Sequence, residues 1–221
     1  MSVSDDLVTL NCRVTTNHPA AGGKPIIWNP KIERVHDDIL LVHNVIPELD
    51  GFEGVAEAYS GLFRPSTIVS DEFKEEVSEE ERTSDEYLLG GVDCPDGLLL
   101  YTLFCKTMEG QVLSSYFSIV NPHAVVHTSS GYNLLRYREG GFFREHVDVK
   151  RNHPVLGQRR LSTVIFCNDT FGGGELVFPR QGLTIEPETG LMVLFPSGFT
   201  HPHESTKITR GTKYSIVGWY F

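Results

Sequence analysis

Hydrophobic positions in the first half of the chain predict one strand and two helices. Residues 39–45 (ILLVHNV) form a short apolar run that is typical of a buried strand. The glycine- and proline-rich approach to this run is expected to be irregular or hairpin-like. Residues 47–63 carry apolar side chains at steps of three and four, which describe one helical face: Leu49, Phe52, Ala56, Tyr59 and Phe63.

A second helix is predicted over residues 97–120. Its apolar positions recur every four residues, at Leu100, Phe104, Met108 and Val112. Gly110 weakens this prediction, because glycine costs about 1 kcal/mol relative to alanine inside a helix. Between the two helices, residues 71–82 (DEFKEEVSEEER) are strongly acidic, so we expect a solvated helix or a mobile loop there.

After residue 129 the pattern changes to short runs separated by glycine and proline. Seven runs predict strands: YNLLRYR, FREHVDV, LSTVIFC, ELVFP, GLTIEP, LMVLFP and KYSIVGWYF. Short strands at such regular spacing are typical of a β-sandwich or a small barrel. The predicted fold class is therefore mainly β with flanking helices.

Composition and charge narrow the function classes. A chain of 221 residues with 40% hydrophobic and 22% charged residues can bury one ordinary core, which excludes wholesale disorder. No run approaches the roughly 18 apolar residues of a membrane span. The net charge of −10 disfavours nucleic acid as a partner.

The cysteines and the N-terminus favour a cytoplasmic location. The four cysteines lie far apart without a CxxC pair, so neither a zinc ribbon nor a disulfide framework is expected. Four small buried side chains are the simplest interpretation. The segment MSVSDDLVTLNCRVTT carries acidic residues where a signal peptide carries basic ones.

Candidate chemistry lies in the second half of the chain. His146 and Asp148 form an H-x-D pair within a predicted strand, where residues two apart point to the same face. His203 follows 55 residues after Asp148. Two imidazoles and one carboxylate on one side of an octahedron leave three positions open, an arrangement that suits oxygen-activating non-haem Fe(II).

Lys213 strengthens this weak pattern. By alternation, Lys213, Ser215, Val217 and Trp219 share one face of the last predicted strand. If that face lines a barrel, the ammonium is buried, which is costly unless an anion pairs with it. A dicarboxylic cosubstrate would supply the anion. The alternative is that Lys213 lies at the solvated edge of the strand.

Three segments carry a resemblance to a known family: YREGGFFREHVD, RRLSTVIFCNDTFGGGELVFP and GLMVLFPSGFTHPHESTKITRGTKYSIVGWYF. They resemble the catalytic core of the 2-oxoglutarate- and Fe(II)-dependent dioxygenases, in the prolyl 4-hydroxylase-like branch. The resemblance covers about residues 132–221. It extends more thinly to residues 82–89 (RTSDEYLL), which look like a substrate-side loop of that branch.

The resemblance implies a double-stranded β-helix, or jelly roll, with N-terminal helices packed on one sheet. Residues 1–221 would form a single dioxygenase domain, with an N-terminal elaboration and the substrate-side loop in 1–128 and the catalytic core in 129–221. The iron would be held by His146, Asp148 and His203. The cosubstrate 2-oxoglutarate would be bound by Lys213 and Tyr137, with Thr163 and Ser215 as weaker candidates.

On the substrate side, the matching positions are Arg82, Ser84, Arg160 and Trp219. Only one of two neighbours in a strand can face the cavity, and Arg160 is preferred to Arg159 because it lies two residues before the long alternating run. The implied activity is procollagen-like hydroxylation of a prolyl residue in a peptide or protein, with Fe(II) as cofactor, 2-oxoglutarate and O2 as cosubstrates and ascorbate as a reductant. Residues 71–82 would then be a lid over bound substrate.

Two departures from the family pattern keep other functions open. Phe143 stands where the peptide-binding relatives carry a tyrosine, and the chain ends Trp219-Tyr220-Phe221 where they have W-x-H. A free amino acid or another small molecule is therefore an alternative substrate. A jelly-roll binding module without catalytic activity is a third hypothesis for the function. Asp148 favours hydroxylation over halogenation. The sequence gives no indication of the oligomeric state.

A cupin-type metal site is disfavoured. His201-x-His203 could begin such a site, but Lys207 and Ile208 stand where a cupin has its glutamate. His201 is expected to lie behind the metal ligands or at the surface.

Overall fold

The computed structural model describes residues 8–14, 26–47, 51–70, 72–91, 94–120, 122–123 and 126–221. Two α-helices occur in this part of the chain, α1 (Phe52–Ala58) and α2 (Asp96–Ile119). The strands before α2 are β1 (Val8–Thr9), β2 (Cys12–Val14), β3 (Ile26–Trp28), β4 (Lys31–His36), β5 (Ile39–His43), β6 (Arg64–Pro65), β7 (Ile68–Val69), β8 (Glu75–Glu76), β9 (Arg82–Thr83) and β10 (Asp85–Leu89). The strands after α2 are β11 (Ser129–Tyr137), β12 (Phe142–His146), β13 (Leu161–Phe166), β14 (Gly172–Gly173), β15 (Leu176–Phe178), β16 (Leu183–Ile185), β17 (Met192–Pro196), β18 (His203–Ser205), β19 (Ile208–Arg210) and β20 (Lys213–Tyr220). The structure is mainly β, and each of the seven runs that predict a strand contains one.

Within the described residues, the strands pair antiparallel into two large sheets and three two-stranded ribbons. The larger sheet has the order β1-β4-β5-β17-β13-β20-β11-β10-β6, and the smaller sheet has the order β16-β15-β18-β12-β9. Neighbouring strands are often distant in the chain, so both ends of the sequence contribute to one sheet. Two antiparallel sheets with such crossovers are consistent with a jelly roll.

The larger sheet is covered on both faces. On β17, Met192 and Leu194 pack in one apolar cluster with Phe104 of α2. Val193 and Phe195, which alternate with them, pack instead with β15 and β16 of the smaller sheet. A strand that is buried on both faces reads as an unbroken apolar run, which explains the LMVLF segment. The candidate site lies between the two sheets.

The second predicted helix forms as α2. Phe104, Met108 and Val112 are buried, while the side chain of Leu100 lies outside the described residues. Gly110 is exposed and does not interrupt the helix. Burial of three large apolar side chains, at roughly 1.5–3 kcal/mol each, outweighs the cost of one glycine of about 1 kcal/mol.

The first predicted helix is shorter than expected. Phe52 and Ala56 are buried on α1 as predicted, and a 3-10 turn at Ser60–Leu62 follows. Gly51 has a φ of 81°, a left-handed conformation with which α1 cannot continue toward the N-terminus. Leu49 lies outside the described residues.

The acidic segment is not helical where it is described: turns flank the two-residue strand β8, so of the two expected conformations, a helix or a loop, the helix is wrong. In β7 and β8, Val69 lies opposite Glu75 and Ile68 opposite Glu76. The segment has no apolar stripe that a helix could bury, and pairing with β7 satisfies part of its backbone instead. Asp71 lies outside the described residues.

Residues 82–89, expected to form a loop, form β9 and β10. β9 pairs with β12 in the smaller sheet, whereas β10 pairs with β11 in the larger sheet. The chain thus crosses between the sheets within a few residues. Arg82 and Leu89 at the two ends are buried, which a solvated loop would not require.

Two further sequence expectations concern the helices and the thiols. None of the described helices combines the length and the apolar character that a membrane span requires. The cysteines are free thiols, and Cys12, Cys105 and Cys167 are buried as expected, whereas Cys94 is half-buried.

Candidate metal centre and adjoining cavity

A β-bulge in the smaller sheet places two histidines side by side. His146, the last residue of β12, lies opposite His203, the first residue of β18, and Phe143 lies opposite Ser205. Between these two pairs β12 holds one residue more than β18. Strict alternation would put Phe143 and His146 on opposite faces, but the bulge brings them to the same face. Their rings stack with centroids 3.5 Å apart.

Asp148 completes a cluster with both histidines, which we call the triad. It lies two residues beyond the end of β12. The alternation of a strand, from which the sequence analysis placed it beside His146, therefore does not determine its position. Its Oδ1 lies 3.7 Å from Nε2 of His146, and its Oδ2 lies 3.7 Å from Nε2 of His203. One ligand atom from each residue lies within 4.8 Å of the others, so a single metal ion could contact all three.

Both imidazoles are held in the form that can bind a metal. Nδ1 of His146 lies 2.8 Å from the carbonyl oxygen of Arg144, and Nδ1 of His203 lies 3.1 Å from that of His201. A carbonyl only accepts hydrogen bonds, so each Nδ1 carries a proton, and in the neutral imidazole this leaves the lone pair on Nε2. Burial, reinforced by the second imidazole, lowers the pKa of His146 to about 3 and keeps it neutral.

The Asp148 carboxylate is anchored from the larger sheet. Ser162 of β13 donates a hydrogen bond of 2.5 Å to its Oδ2, and the Ser162 hydroxyl also lies 2.8 Å from that of Ser197. Burial opposes ionisation of this carboxyl. The two imidazoles, the Ser162 hydroxyl and a nearby arginine outweigh it and hold the pKa of Asp148 below its usual value. The triad therefore offers one carboxylate and the Nε2 atoms of two imidazoles.

Lys213 lines the same cavity as the triad. Its side chain is buried, with the residue 2% exposed, and Nζ donates to the carbonyl of Gly174 at 2.6 Å and to Oγ of Ser205 at 2.8 Å. Within the described part of the chain, Lys213 forms no ion pair. Burial lowers its pKa to about 7, and Glu175 opposes this only in part. The sequence argument that Lys213 faces the interior is therefore correct.

The low pKa of Lys213 predicts how the stability of the ligand-free protein depends on pH. The unfolded chain holds this proton up to a pKa of about 10.5, whereas the folded protein releases it at about 7. Because the unfolded state binds more protons between these values, the free energy of unfolding should rise with pH there. We expect the wild type to gain about 1 kcal/mol per pH unit relative to Lys213→Met between about pH 7.5 and 9.5, in urea denaturation. Identical pH slopes for the two proteins would contradict this assignment.

The other predicted cosubstrate residues border the same cavity but differ in their placement. Tyr137 lies directly opposite Lys213 in the pairing of β11 with β20, and its ring centroid is 5.3 Å from Nζ. Ser215 shares the face of Lys213. Thr163 lies opposite Gly218, on the other face by alternation, and its hydroxyl donates to the Gly218 carbonyl at 3.3 Å. Ser215 is therefore better placed than Thr163.

On the substrate side, Arg82 and Trp219 line the cavity. The guanidinium of Arg82 lies 4.7 Å from the ring centroid of Phe143, and its Nε donates to Oγ of Ser84 at 2.7 Å. Ser84 is not among the residues that line the cavity, so it contacts the site through Arg82.

The preference for Arg160 over Arg159 is wrong. Arg160 is exposed, whereas the guanidinium of Arg159 lies 3.7 Å from the ring centroid of Trp219 and donates to the carbonyl of Asp148 at 3.0 Å. The sequence argument extended strand alternation backwards, but β13 begins only at Leu161 and a 3-10 turn precedes it. Alternation therefore does not apply at these two arginines.

His201 is not part of the triad. It is buried, and its Nε2 lies 2.9 Å from Oδ1 of Asp38, in the N-terminal half of the chain. The cupin-type pair His201-x-His203 therefore does not converge on one ion. The backbone carbonyl of His201 does contact the site, as the acceptor behind His203.

Sequence reasoning missed the groups that hold the ligands in place. Ser162 anchors the Asp148 carboxylate, and Ser205 accepts a hydrogen bond from Lys213. Ser205 lies in β18 (HES), a strand whose sequence gives no hydrophobic signal. Gly174 had a detectable signal, because the FGGGE run predicts a turn with positive φ, and φ is 76° there. A Cβ on Gly174 would lie 2.6 Å from Cδ1 of Ile208, so the backbone approaches Lys213 closely only with glycine.

The C-terminal part of the chain also matches a known family. The family model described as "2OG-Fe(II) oxygenase superfamily" matches residues 132–221, which include the triad, Tyr137 and Lys213. The resemblance seen in the sequence is thereby confirmed.

Among the curated relatives of this chain, prolyl 3-hydroxylase 2 from Mus musculus is 32% identical over 72 residues. These residues are 30% of the present chain and 10% of the relative. The match thus spans about a tenth of the relative's length.

Solved structures of prolyl hydroxylases share the fold over most of this chain. A prolyl-4-hydroxylase from Pseudomonas putida matches with a TM-score of 0.60 and 20% identity, covering 83% of this chain and 91% of that chain. A prolyl hydroxylase from Trichoplax adhaerens, in complex with a peptide fragment of the hypoxia inducible factor oxygen degradation domain, matches with a TM-score of 0.65 and 19% identity over 84% of each chain. At such identities the likeness concerns the fold.

Proposed function

We propose that this protein is an Fe(II)- and 2-oxoglutarate-dependent hydroxylase that acts on prolyl residues of a peptide or protein. The observation that carries the proposal is that the triad and the buried Lys213 ammonium line one cavity. The family match of residues 132–221 and the fold shared with prolyl hydroxylases support it. Fe(II), with 2-oxoglutarate and O2 as cosubstrates, would supply the oxidising chemistry that hydroxylates a C–H bond.

The triad would hold the iron. His146 and His203 would each contribute an Nε2 lone pair, and Asp148 would contribute a carboxylate oxygen. The carbonyls behind both Nδ1 atoms, and Ser162 behind the carboxylate, already fix these three side chains in the described structure. Little reorganisation would accompany metal binding, since outer contacts of this kind orient ligands in advance.

Lys213 would bind the distal carboxylate of 2-oxoglutarate. The dianion would supply the negative charge that the buried ammonium lacks, which favours its protonated form. Tyr137 and Ser215 border the same space and would donate hydrogen bonds to the cosubstrate. The apolar side chains of Leu135, Val164 and Val217 complete the wall and would exclude water.

A groove beside the triad would receive the substrate. It has a volume of about 580 Å³ and is lined by His146 and Asp148, by both strands of the β7–β8 ribbon, and by Arg159 and Trp219. Ligand sites for compounds of drug size occupy about 300–1,000 Å³, so the groove could hold a proline with neighbouring residues. Glu75 and Glu76 of the acidic segment border it, which supports the hypothesis that residues 71–82 close over bound substrate.

The proposal includes several finer expectations. Residues 1–221 would form one dioxygenase domain, with helices packed on one sheet, because β1, β4 and β5 extend the sheet that contains the strands after α2. Ascorbate would serve as a reductant, and the protein would be cytoplasmic.

The substrate class is tested by comparing peptides with free amino acids. We expect proline-rich peptides, incubated with the protein, Fe(II), 2-oxoglutarate and O2, to raise succinate above the background without substrate and to gain one oxygen atom in the mass spectrum. Free proline should do neither. His146→Ala measures the background that does not depend on the triad. Turnover with free proline or another small molecule, and none with peptides, would replace the peptide proposal with the small-molecule alternative.

A further inference from the structure

A second polar cluster connects the N-terminal half of the chain to the segment that carries His203. Asp38 lies in the turn between β4 and β5, outside the residues that match the family. Its Oδ1 lies 2.9 Å from Nε2 of His201 and 3.0 Å from Nδ1 of His36. The contact with His201 joins two segments that are 163 residues apart in the chain.

The His201 side chain is fixed at both ring nitrogens. It is 1% exposed, and its Nδ1 lies 2.8 Å from Oγ1 of Thr200. A neutral imidazole with its proton on Nε2 satisfies both contacts, because Nε2–H donates to Asp38 and the Thr200 hydroxyl donates to Nδ1. Losing the Asp38 acceptor would leave a buried donor without a partner, which is unfavourable.

Hydrogen bonds from α2 and from β4 fix the backbone of the turn that carries Asp38. The hydroxyl of Tyr116, near the end of α2, donates to the Asp38 carbonyl at 2.9 Å. Arg34 donates to the carbonyl of Asp37 in the same turn at 2.5 Å. The backbone that carries the Asp38 carboxylate is therefore fixed by two hydrogen bonds.

The link to the metal centre is one backbone carbonyl. The carbonyl of His201 accepts the Nδ1–H of His203 at 3.1 Å and thereby determines which nitrogen of His203 faces Asp148. A displacement of the His201 backbone would displace this acceptor. In metal sites, contacts of this outer kind change metal affinity by about 10- to 100-fold when they are removed.

We propose that Asp38 and His201 are positioning residues for the metal centre: their side-chain contact fixes the carbonyl that orients His203. This inference rests on the proposed function, because it presumes that His203 binds the metal. Asp38 lies in the N-terminal half, so residues outside the family match of 132–221 would take part in building the site.

The test compares Asp38→Ala with two matched variants. Asp38→Asn removes the charge but keeps an oxygen that can accept from His201. Asp37→Ala makes the same charge change in the same turn, on a side chain that is 96% exposed. The readouts are the affinity for Co(II), followed by its visible absorption, and the ¹⁵N signals of the His203 imidazole in the metal-free protein, which report its tautomer. The free energy of unfolding is measured for each variant.

We expect Asp38→Ala to weaken Co(II) binding by about 10- to 100-fold and to reduce the population of His203 with the proton on Nδ1. Asp38→Asn should restore most of the affinity, and Asp37→Ala should stay within about twofold of the wild type, since exposed charges contribute little. If Asp38→Ala does not fold, Thr200→Val should give a smaller loss in the same direction.

Three results would overturn the inference: wild-type affinity and tautomer in Asp38→Ala (or in Thr200→Val, where it replaces Asp38→Ala), an equal loss in Asp37→Ala, or losses in Asp38→Ala and Asp38→Asn that simply follow their unfolding free energies. Failure of the wild type itself to bind Co(II) would instead refute the proposed function.

Discussion

Replacing Asp148 with alanine is expected to lower turnover by at least about 1,000-fold. The variant loses the carboxylate of the triad, whose two oxygens each lie 3.7 Å from one imidazole. Metal-dependent stabilisation is worth several kcal/mol, and each 1.36 kcal/mol corresponds to a factor of ten in rate. Succinate formation and Co(II) binding, measured on the same preparations, should fall together.

Ser162→Ala provides the graded comparison for Asp148→Ala. It keeps the carboxylate and removes only the hydroxyl that donates to Oδ2. The expected loss of metal affinity is about 10- to 100-fold, because the ligand remains but is less well oriented.

For Asp148→Ala itself, activity equal to that of the wild type would exclude the triad as the metal site.

Replacing Lys213 with alanine should raise the 2-oxoglutarate concentration for half-maximal activity by about 30- to 1,000-fold. Truncating one partner of a buried charge pair costs about 2–4 kcal/mol, and each 1.4 kcal/mol corresponds to a factor of ten in affinity. The affinity for the metal alone should change little, since Lys213 contacts Gly174 and Ser205 rather than the triad. The measurement is a 2-oxoglutarate titration of succinate formation.

Lys207→Ala is the matched control for Lys213→Ala. Lys207 lies in the segment between β18 and β19 and is exposed, so its removal makes the same change in net charge without touching the cavity. We expect its 2-oxoglutarate dependence to match that of the wild type. An equal shift in both variants would indicate a general electrostatic effect, and would argue against Lys213 as the carboxylate site.

The features that the sequence predicts well are those fixed by short-range periodicity. The last strand was expected to turn Lys213, Ser215, Val217 and Trp219 to one face, and all four line the cavity. The strands after residue 129 carry strong apolar signals, because most are buried on at least one face.

The features that the sequence does not predict depend on pairing between distant strands. The bulge in β12 shifts Phe143 onto the face of His146, and no local pattern encodes it. The strand that carries His203 is short and polar, so it gives no hydrophobic signal. Asp38 and His201 are 163 residues apart, and only the folded chain brings them together.

Interrupted alternation explains the error at the two arginines. Arg159 belongs to the end of a 3-10 turn, whose geometry the sequence did not indicate, and it contacts Trp219 in place of Arg160. The acidic segment shows a related limit. Its charge predicts solvent exposure but does not decide between a helix and a loop, and pairing with β7 makes only Glu75 and Glu76 extended.

The central claim is that the triad and Lys213 together bind Fe(II) and 2-oxoglutarate, and an anaerobic titration with both tests it most directly. We expect the wild type to develop the weak visible charge-transfer band of the iron-bound oxo acid, and His146→Ala to show none. Lys213→Ala should reach the same band only at higher 2-oxoglutarate concentrations. Absence of the band in the wild type, or an undiminished band in His146→Ala, would contradict the account.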